Sequence, residues 1–222
     1  MGPTTSVVKD VRTTSLEASA VGVASDIGID GRDVAGVLAF LEPLAVHDMS
    51  TYEHSLRVGV LAAKVALAAS GLGDKLSQPG LALTGGLMHH IGKLSVPATV
   101  LSAYRLGPLE WAFVHRHPVA GYERLFHAGY YEEAIVAGLH HSFQEHPYGL
   151  SPNDIADASL VRTAKMVAFC DFFDAVMTRR DARHSLAGRS DPVGLLSQAY
   201  PGRSDWAATV LREMSLVVER GA

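Results

Sequence analysis

The chain has 222 residues, 48% hydrophobic and 19% charged, with a formal net charge of −4. That balance can bury a core, and it excludes wholesale disorder, collagen-like repeats and low complexity. A single cysteine, Cys170, excludes an intrachain disulfide framework and a cysteine-only zinc site, and the acidic balance argues against DNA as a partner. No stretch reaches the roughly eighteen apolar residues of a membrane span. The best candidate, Val58 to Ala69, is short and carries Lys64. With no basic-then-apolar signal peptide at the N-terminus, a cytoplasmic protein is the expectation.

In chain order, residues 1 to about 30 are rich in Ser, Thr, Ala and Gly with weak periodicity, and read as a partly ordered lead-in with room for a short helix. Residues 31–222 read as one helical domain. Val34, Val37, Leu38 and Leu41 predict a helix over 31–47, with a kink or break at Pro43. Helix 50–70 stops near Gly71 and Gly73, and helix 78–91 carries Pro79 near its start. Pro108 opens a helix over 108–116, which Pro118 and Gly121 interrupt before Tyr122–Ala128. Residues 131–142 are helical, and 143–157 form a loop punctuated by Pro147, Gly149, Pro152, Asn153 and Asp154. A long helix over about 158–179, a basic connector, and helices 191–199 and 204–219 complete the chain. No two adjacent period-two runs flank a hairpin turn, so the fold class is all-α, one domain, without repeats.

Eleven histidines are many for this length. Steps of +4, +3 and +4 from His54 reach Val58, Leu61 and Val65, which sets His54 at the end of a core-facing stripe. His89 and His90 close the apolar segment Leu81–Met88, His117 precedes Pro118, and His140 and His141 close Ala134–Leu139. In the long helix, Leu160, Ala164, Val167, Asp171 and Asp174 share one face, so two carboxylates lie among aliphatics, where they are costly unless paired or metal-bound. Taken singly, each has an ordinary reading as a satisfied buried polar group. Together, six histidines and an acid at the ends or apolar faces of several helices point to a metal site in a bundle core. His47, His115, His127, His146 and His184 read as surface or loop residues.

The ordered pieces are His54-Ser55-Leu56-Arg57-Val58, His89-His90-Ile91-Gly92-Lys93, Val96-Pro97, His115-Arg116-His117-Pro118 with Gly121, His140-His141, Tyr148-Gly149-Leu150 and Asp171-Phe172-Phe173-Asp174-Ala175. In order and spacing they resemble the HD superfamily of metal-dependent phosphohydrolases, over roughly residues 47 to 184. Within it they resemble the HD-GYP subfamily, whose known members hydrolyse cyclic di-GMP. The resemblance implies an all-α, HD-type helical bundle with its metal site in the core. It makes His54, His89, His117, His140, His141 and Asp171 the metal ligands, with His90 added as a candidate at a position where the family has an aspartate, Lys93 and Asp171 the catalytic groups, and Lys93, Asp174, Arg180 and Arg183 contacts to substrate or residues that orient the site. It implies one or two divalent transition-metal ions, iron or manganese first and zinc or nickel next, a cyclic dinucleotide or other phosphoester ligand, and a signalling protein as partner. Residues 178–190 carry four Arg and one Asp, which suits a dianionic ligand or an ordinary solvated connector.

Three features depart from the subfamily. Its paired His-Asp is here His89-His90; the aspartate normally bridges two metals, whereas a neutral imidazole has one lone pair, so the expectation is His90 as a terminal ligand with other groups bridging, or else a mononuclear or empty site. The Gly-Tyr-Pro loop is shortened, with His146-Pro147 where Tyr-Pro would stand. Ser50 stands where some members carry a glutamate for a third metal. The leading function is a phosphodiesterase using metal-activated water. The alternatives are a degenerate module that binds nucleotide or a protein partner without hydrolysis, and an HD-type diiron oxygenase.

Overall fold

Three aspartates start the first three helices. Asp10, Asp30 and Asp48 accept hydrogen bonds from the backbone N–H groups of Thr13 (2.8 Å), Arg32 (2.8 Å) and Ser50 (3.1 Å), satisfying donors that a helix start leaves unpaired. The helices they open are α1 (Val11–Asp26), α2 (Gly31–His47) and α3 (Met49–Gly71). The structure is a computed structural model that describes residues 9–178 and 192–220. After α3 come α4 (Pro79–Met88), a 3₁₀ turn (Ile91–Ser95), α5 (Ala98–Leu101), α6 (Pro108–Val114), α7 (His117–His127), α8 (Tyr131–Leu139), a second 3₁₀ turn (Pro152–Asp154), α9 (Ala158–Thr178), α10 (Pro192–Ala199) and α11 (Ser204–Arg220). The described residues contain no strand, so the fold is all-α.

Helix α3 is the axis of the bundle and packs against α1, α2, α4, α9 and α11. Its approach to α4 depends on two glycines: a Cβ on Gly86 would lie 2.7 Å from Gly59 Cα, closer than any side chain allows. One apolar zone gathers α3, α8, α9 and the C-terminal helices around Phe169, Phe173, Tyr200 and Trp206. Trp206 takes the Arg162 and Arg203 guanidinium groups over its ring at 4.6 and 4.9 Å, fastening α11 to α9. The other zone joins α1, α2, α3, α4 and α8 around Leu41, Leu44, Tyr52, Leu56 and Leu87.

Several boundaries differ from the sequence reading. The lead-in contains a sixteen-residue helix, α1, which buries Ala20, Val23 and Ala24 against the rest. Pro43 neither breaks α2 nor ends it: the helix continues to His47, and Pro43 is exposed, where water can solvate the carbonyl it leaves unpaired. Pro118 does not interrupt a helix but sits in the first turn of α7, where no intrahelical N–H is lost. Helices α4 and α8 stop at Met88 and Leu139, short of the predicted 91 and 142, so both histidine pairs lie just beyond a helix end.

Candidate metal centre

The bundle brings six of the histidines together. His54 projects from α3, His89 and His90 follow α4, His117 opens α7, and His140 and His141 follow α8. Asp171 projects from α9 onto the same point, and its stripe mates Leu160, Ala164 and Val167 are buried as their spacing predicts. Residue Gly92 explains how two of these strands of sequence can meet. A Cβ there would lie 2.0 Å from the His117 carbonyl oxygen and 2.4 Å from the Gly121 nitrogen, so the 3₁₀ turn rests directly on the start of α7.

Three of the rings are oriented in the same way. His89, His117 and His140 donate from Nδ1 to the carbonyl three residues earlier, on Gly86 (2.7 Å), Val114 (2.6 Å) and Ala137 (2.6 Å). Since a carbonyl only accepts, each Nδ1 holds the ring proton and each Nε2 presents a lone pair. Burial, the largest influence, pushes the pKa of all three down, so the rings are neutral. The lone pairs converge: the Nε2 atoms of His117 and His140 are 3.1 Å apart. His89 Nε2 is buried with no hydrogen-bond partner, 3.8 Å from Asp171 Oδ1, too far for a hydrogen bond.

His54 is held differently. Its Nε2 lies 2.9 Å from Asp171 Oδ1 and its Nδ1 2.7 Å from Asp174 Oδ2. Burial pushes the His54 pKa down, but the two carboxylates outweigh it and raise it overall. Burial likewise opposes ionisation of Asp171, yet its hydrogen bond to His54 and the nearby imidazoles hold it well below the ordinary carboxylate range. Asp174 accepts from Arg57 Nε at 2.8 Å and Nη2 at 3.0 Å as well as from His54. Its carboxylate is thus engaged by Arg57 and His54, the orienting arrangement among the two roles expected for it. Arg57, one helical turn from His54 on the same face, is a site residue that sequence reasoning left without a role.

His141 stacks on Tyr148 (centroids 4.5 Å apart, planes at 24°), and burial with nearby cations pushes its pKa down to about 4. Tyr148 sits at the end of the shortened loop, which is tied back to α8 by Leu150 N–H donating to the Gly138 carbonyl at 2.8 Å. Gly149 is at φ 98°, and a Cβ there would also strike the Gly138 carbonyl, at 2.3 Å. Lys93 lies on the 3₁₀ turn, where its charge bears on His90, His117 and His141; burial pushes the Asp48 carboxyl up, but hydrogen bonds from Thr51 and Ser50, with a smaller pull from Lys93, hold it below its ordinary value. Ser50 is exposed and donates to Asp48 at 2.8 Å. His47, read as a surface residue, is half-buried and bonds the Val96 carbonyl at 2.8 Å, pinning α2 to the end of the 3₁₀ turn. His115, His127 and His146 are exposed. Arg180, Arg183 and His184 lie outside the described residues.

The donors form two groups able to hold a cation, His54-His89-His90-Asp171 and His90-His117-His140-His141, with the donor atoms of each within 4.8 Å of one another. Neutral imidazoles with buried lone pairs, oriented by backbone carbonyls and joined by an ionised carboxylate, are the donor chemistry of a divalent transition metal.

Comparison with known proteins agrees with this architecture. Residues 51–175 match the HD domain family. A cyclic di-GMP phosphodiesterase of Pseudomonas aeruginosa is 36% identical over 151 residues, covering 64% of this chain and 34% of that protein. The chain thus spans about a third of the length of that curated relative. With over half its residues inside the family match and the imidazoles of the motifs gathered at one point in an all-α bundle, the chain belongs to the HD domain family.

Proposed function

We propose that this chain is a metal-dependent phosphohydrolase whose centre is built by His54, His89, His90, His117, His140, His141 and Asp171. One observation carries the reading: the Nε2 lone pairs of His117 and His140 face each other at 3.1 Å while both Nδ1 protons are spent on carbonyls, an arrangement that calls for a cation. A divalent ion supplies Lewis acidity toward a phosphoryl group and toward water. The chain's own residues do the rest. Arg57 fixes Asp174, Asp174 fixes His54, and Asp171 brings negative charge to the first donor group. Lys93 provides the cation that offsets charge on the phosphodiester.

Within this class the substrate is a cyclic dinucleotide of the cyclic di-GMP type, in the manner of the HD-GYP subfamily. The cyclic di-GMP phosphodiesterase activity of the Pseudomonas relative, the place of Lys93 and the loop whose Tyr148 lies on His141 support that choice. Iron or manganese is the first choice of metal, with zinc or nickel next. Arg180 and Arg183 are proposed to meet the ligand, and a signalling protein to be the partner. No helix among the described residues is long and apolar enough to cross a membrane, and we place the protein in the cytoplasm. A second reading, a binding module that has lost hydrolysis, draws on the second donor group, which has four imidazoles and no carboxylate to hold a divalent ion.

The test is anaerobic loading with ferrous or manganous ion, followed by incubation with cyclic di-GMP. Conversion to the linear dinucleotide, abolished in Asp171→Asn, is the expected result. Retained nucleotide binding with no turnover by loaded protein would favour the second reading.

A further inference from the structure

The residue substitution at position 90 leads to an expectation of one lone pair for one ion, but the geometry points to a different role. We propose that the His90 ring bridges two ions, one on each nitrogen, and so joins the two donor groups into a single binuclear centre. This rests on the reading of the site as a metal centre.

Four observations carry it. His90 is the one residue common to both donor groups. Its ring touches all five of the others: His89 at 3.8 Å between centroids, His54 and His117 at 5.0 Å, His140 at 5.3 Å and His141 at 6.3 Å. The groups approach it from different elements, His54 and Asp171 from α3 and α9, His117 and His141 from the start of α7 and the end of α8. Among the described residues, the His54 ring meets His89 and His90 but neither His117 nor His141. Finally, His90 lacks the restraint its neighbours share. His89, His117 and His140 each commit Nδ1 to a backbone carbonyl, whereas His90 Nδ1 is buried with no hydrogen-bond partner. With Nδ1 not tied to the backbone, the ring can turn one nitrogen to each group.

The chemistry balances. A neutral imidazole holds one proton and one lone pair. On taking a second ion the ring releases that proton to solvent, and the imidazolate has a lone pair on each nitrogen. Its negative charge reaches the imidazole-only group, which otherwise has no anionic donor. The geometry is distinctive as well. Metal–nitrogen bonds of about 2.0–2.1 Å on opposite edges of one ring set the ions roughly 6 Å apart, against about 3.5–4 Å for the usual two-metal site.

The experiment uses the full chain saturated with manganese or zinc. It measures ions per chain by elemental analysis and their separation by anomalous diffraction or X-ray absorption. Two ions at roughly 6 Å are expected in the wild type. His90→Ala is expected to keep no more than one, and His90→Asp to hold two at about 3.5–4 Å. Two ions at the shorter distance in the wild type, or both ions retained at unchanged affinity in His90→Ala with helical content intact, would overturn the bridge. A single ion at saturation would overturn it too, while leaving a mononuclear phosphohydrolase. No bound ion would remove the metal-centre reading along with it.

Discussion

Substituting alanine for Gly92 tests how the fold assembles the centre. The new Cβ would meet the His117 carbonyl oxygen at 2.0 Å and the Gly121 nitrogen at 2.4 Å, where ordinary contacts begin at 3.4 Å. Both neighbours are backbone, so no rotamer change relieves the clash, and the 3₁₀ turn must part from α7 by roughly 1.4 Å, an overpacking that costs about 3 kcal/mol. For a chain of this size that lowers the Tm by about 6–12 °C. The same movement carries His117 away from His90, and ligand distances tolerate only about 0.2 Å of error. Metal binding at the His90-His117-His140-His141 group should therefore fall with stability. Thermal unfolding and metal stoichiometry, measured on Gly92→Ala beside Gly36→Ala, read both effects. Gly36 is an exposed residue of α2 with nothing within 4 Å of its would-be Cβ, and its substitution should be neutral or stabilising by up to about 1 kcal/mol. Wild-type Tm and metal content in Gly92→Ala would refute the close approach.

Removing Arg57 leaves the 4%-exposed Asp174 with His54 and a long 3.5 Å bond from the Thr178 hydroxyl, so Arg57→Ala should lose about 3 kcal/mol in denaturant unfolding and lower the metal affinity of the first donor group. Lys93→Ala should retain its metal and lose roughly 10²–10³ in kcat toward a phosphodiester, read by steady-state kinetics beside elemental analysis. Metal-free protein should be acid-sensitive. His141 is held at about 4 against an ordinary 6.5, so the unfolded chain takes up the proton first and stability falls as the pH drops from 6.5 toward 4, by up to about 3 kcal/mol from this ring. His89, His90, His117 and His140 act in the same direction, while His54, raised by its carboxylates, opposes them; urea midpoints across that range with a chelator present would show the net sign.

The faces of the helices were legible in the sequence because a 3.6-residue period survives any tertiary arrangement. His54 with Val58 and Val65, and Asp171 with Leu160 and Val167, lie where counting puts them. Helix ends were less legible. The early stop of α4 at Met88 goes with the packing of Gly92 on α7, a contact between segments that local propensity does not encode. The full length of helix α1, expected only as a short helix, was not legible because its contacts use small residues, Ala20 and Ala24, spaced among Ser and Thr. The ligand candidates could be named from order and spacing, but their relations could not. The Asp174–Arg57 pair, the common Nδ1 restraint of three rings and its absence at His90 depend on which backbone carbonyls and side chains the bundle places nearby.

The most direct test of the account is metal stoichiometry per chain on protein purified without oxygen and offered ferrous iron or manganese. About two ions per chain, lost on His89→Ala, is the result predicted for the two donor groups. A fully folded chain that binds no divalent ion under those conditions would contradict it.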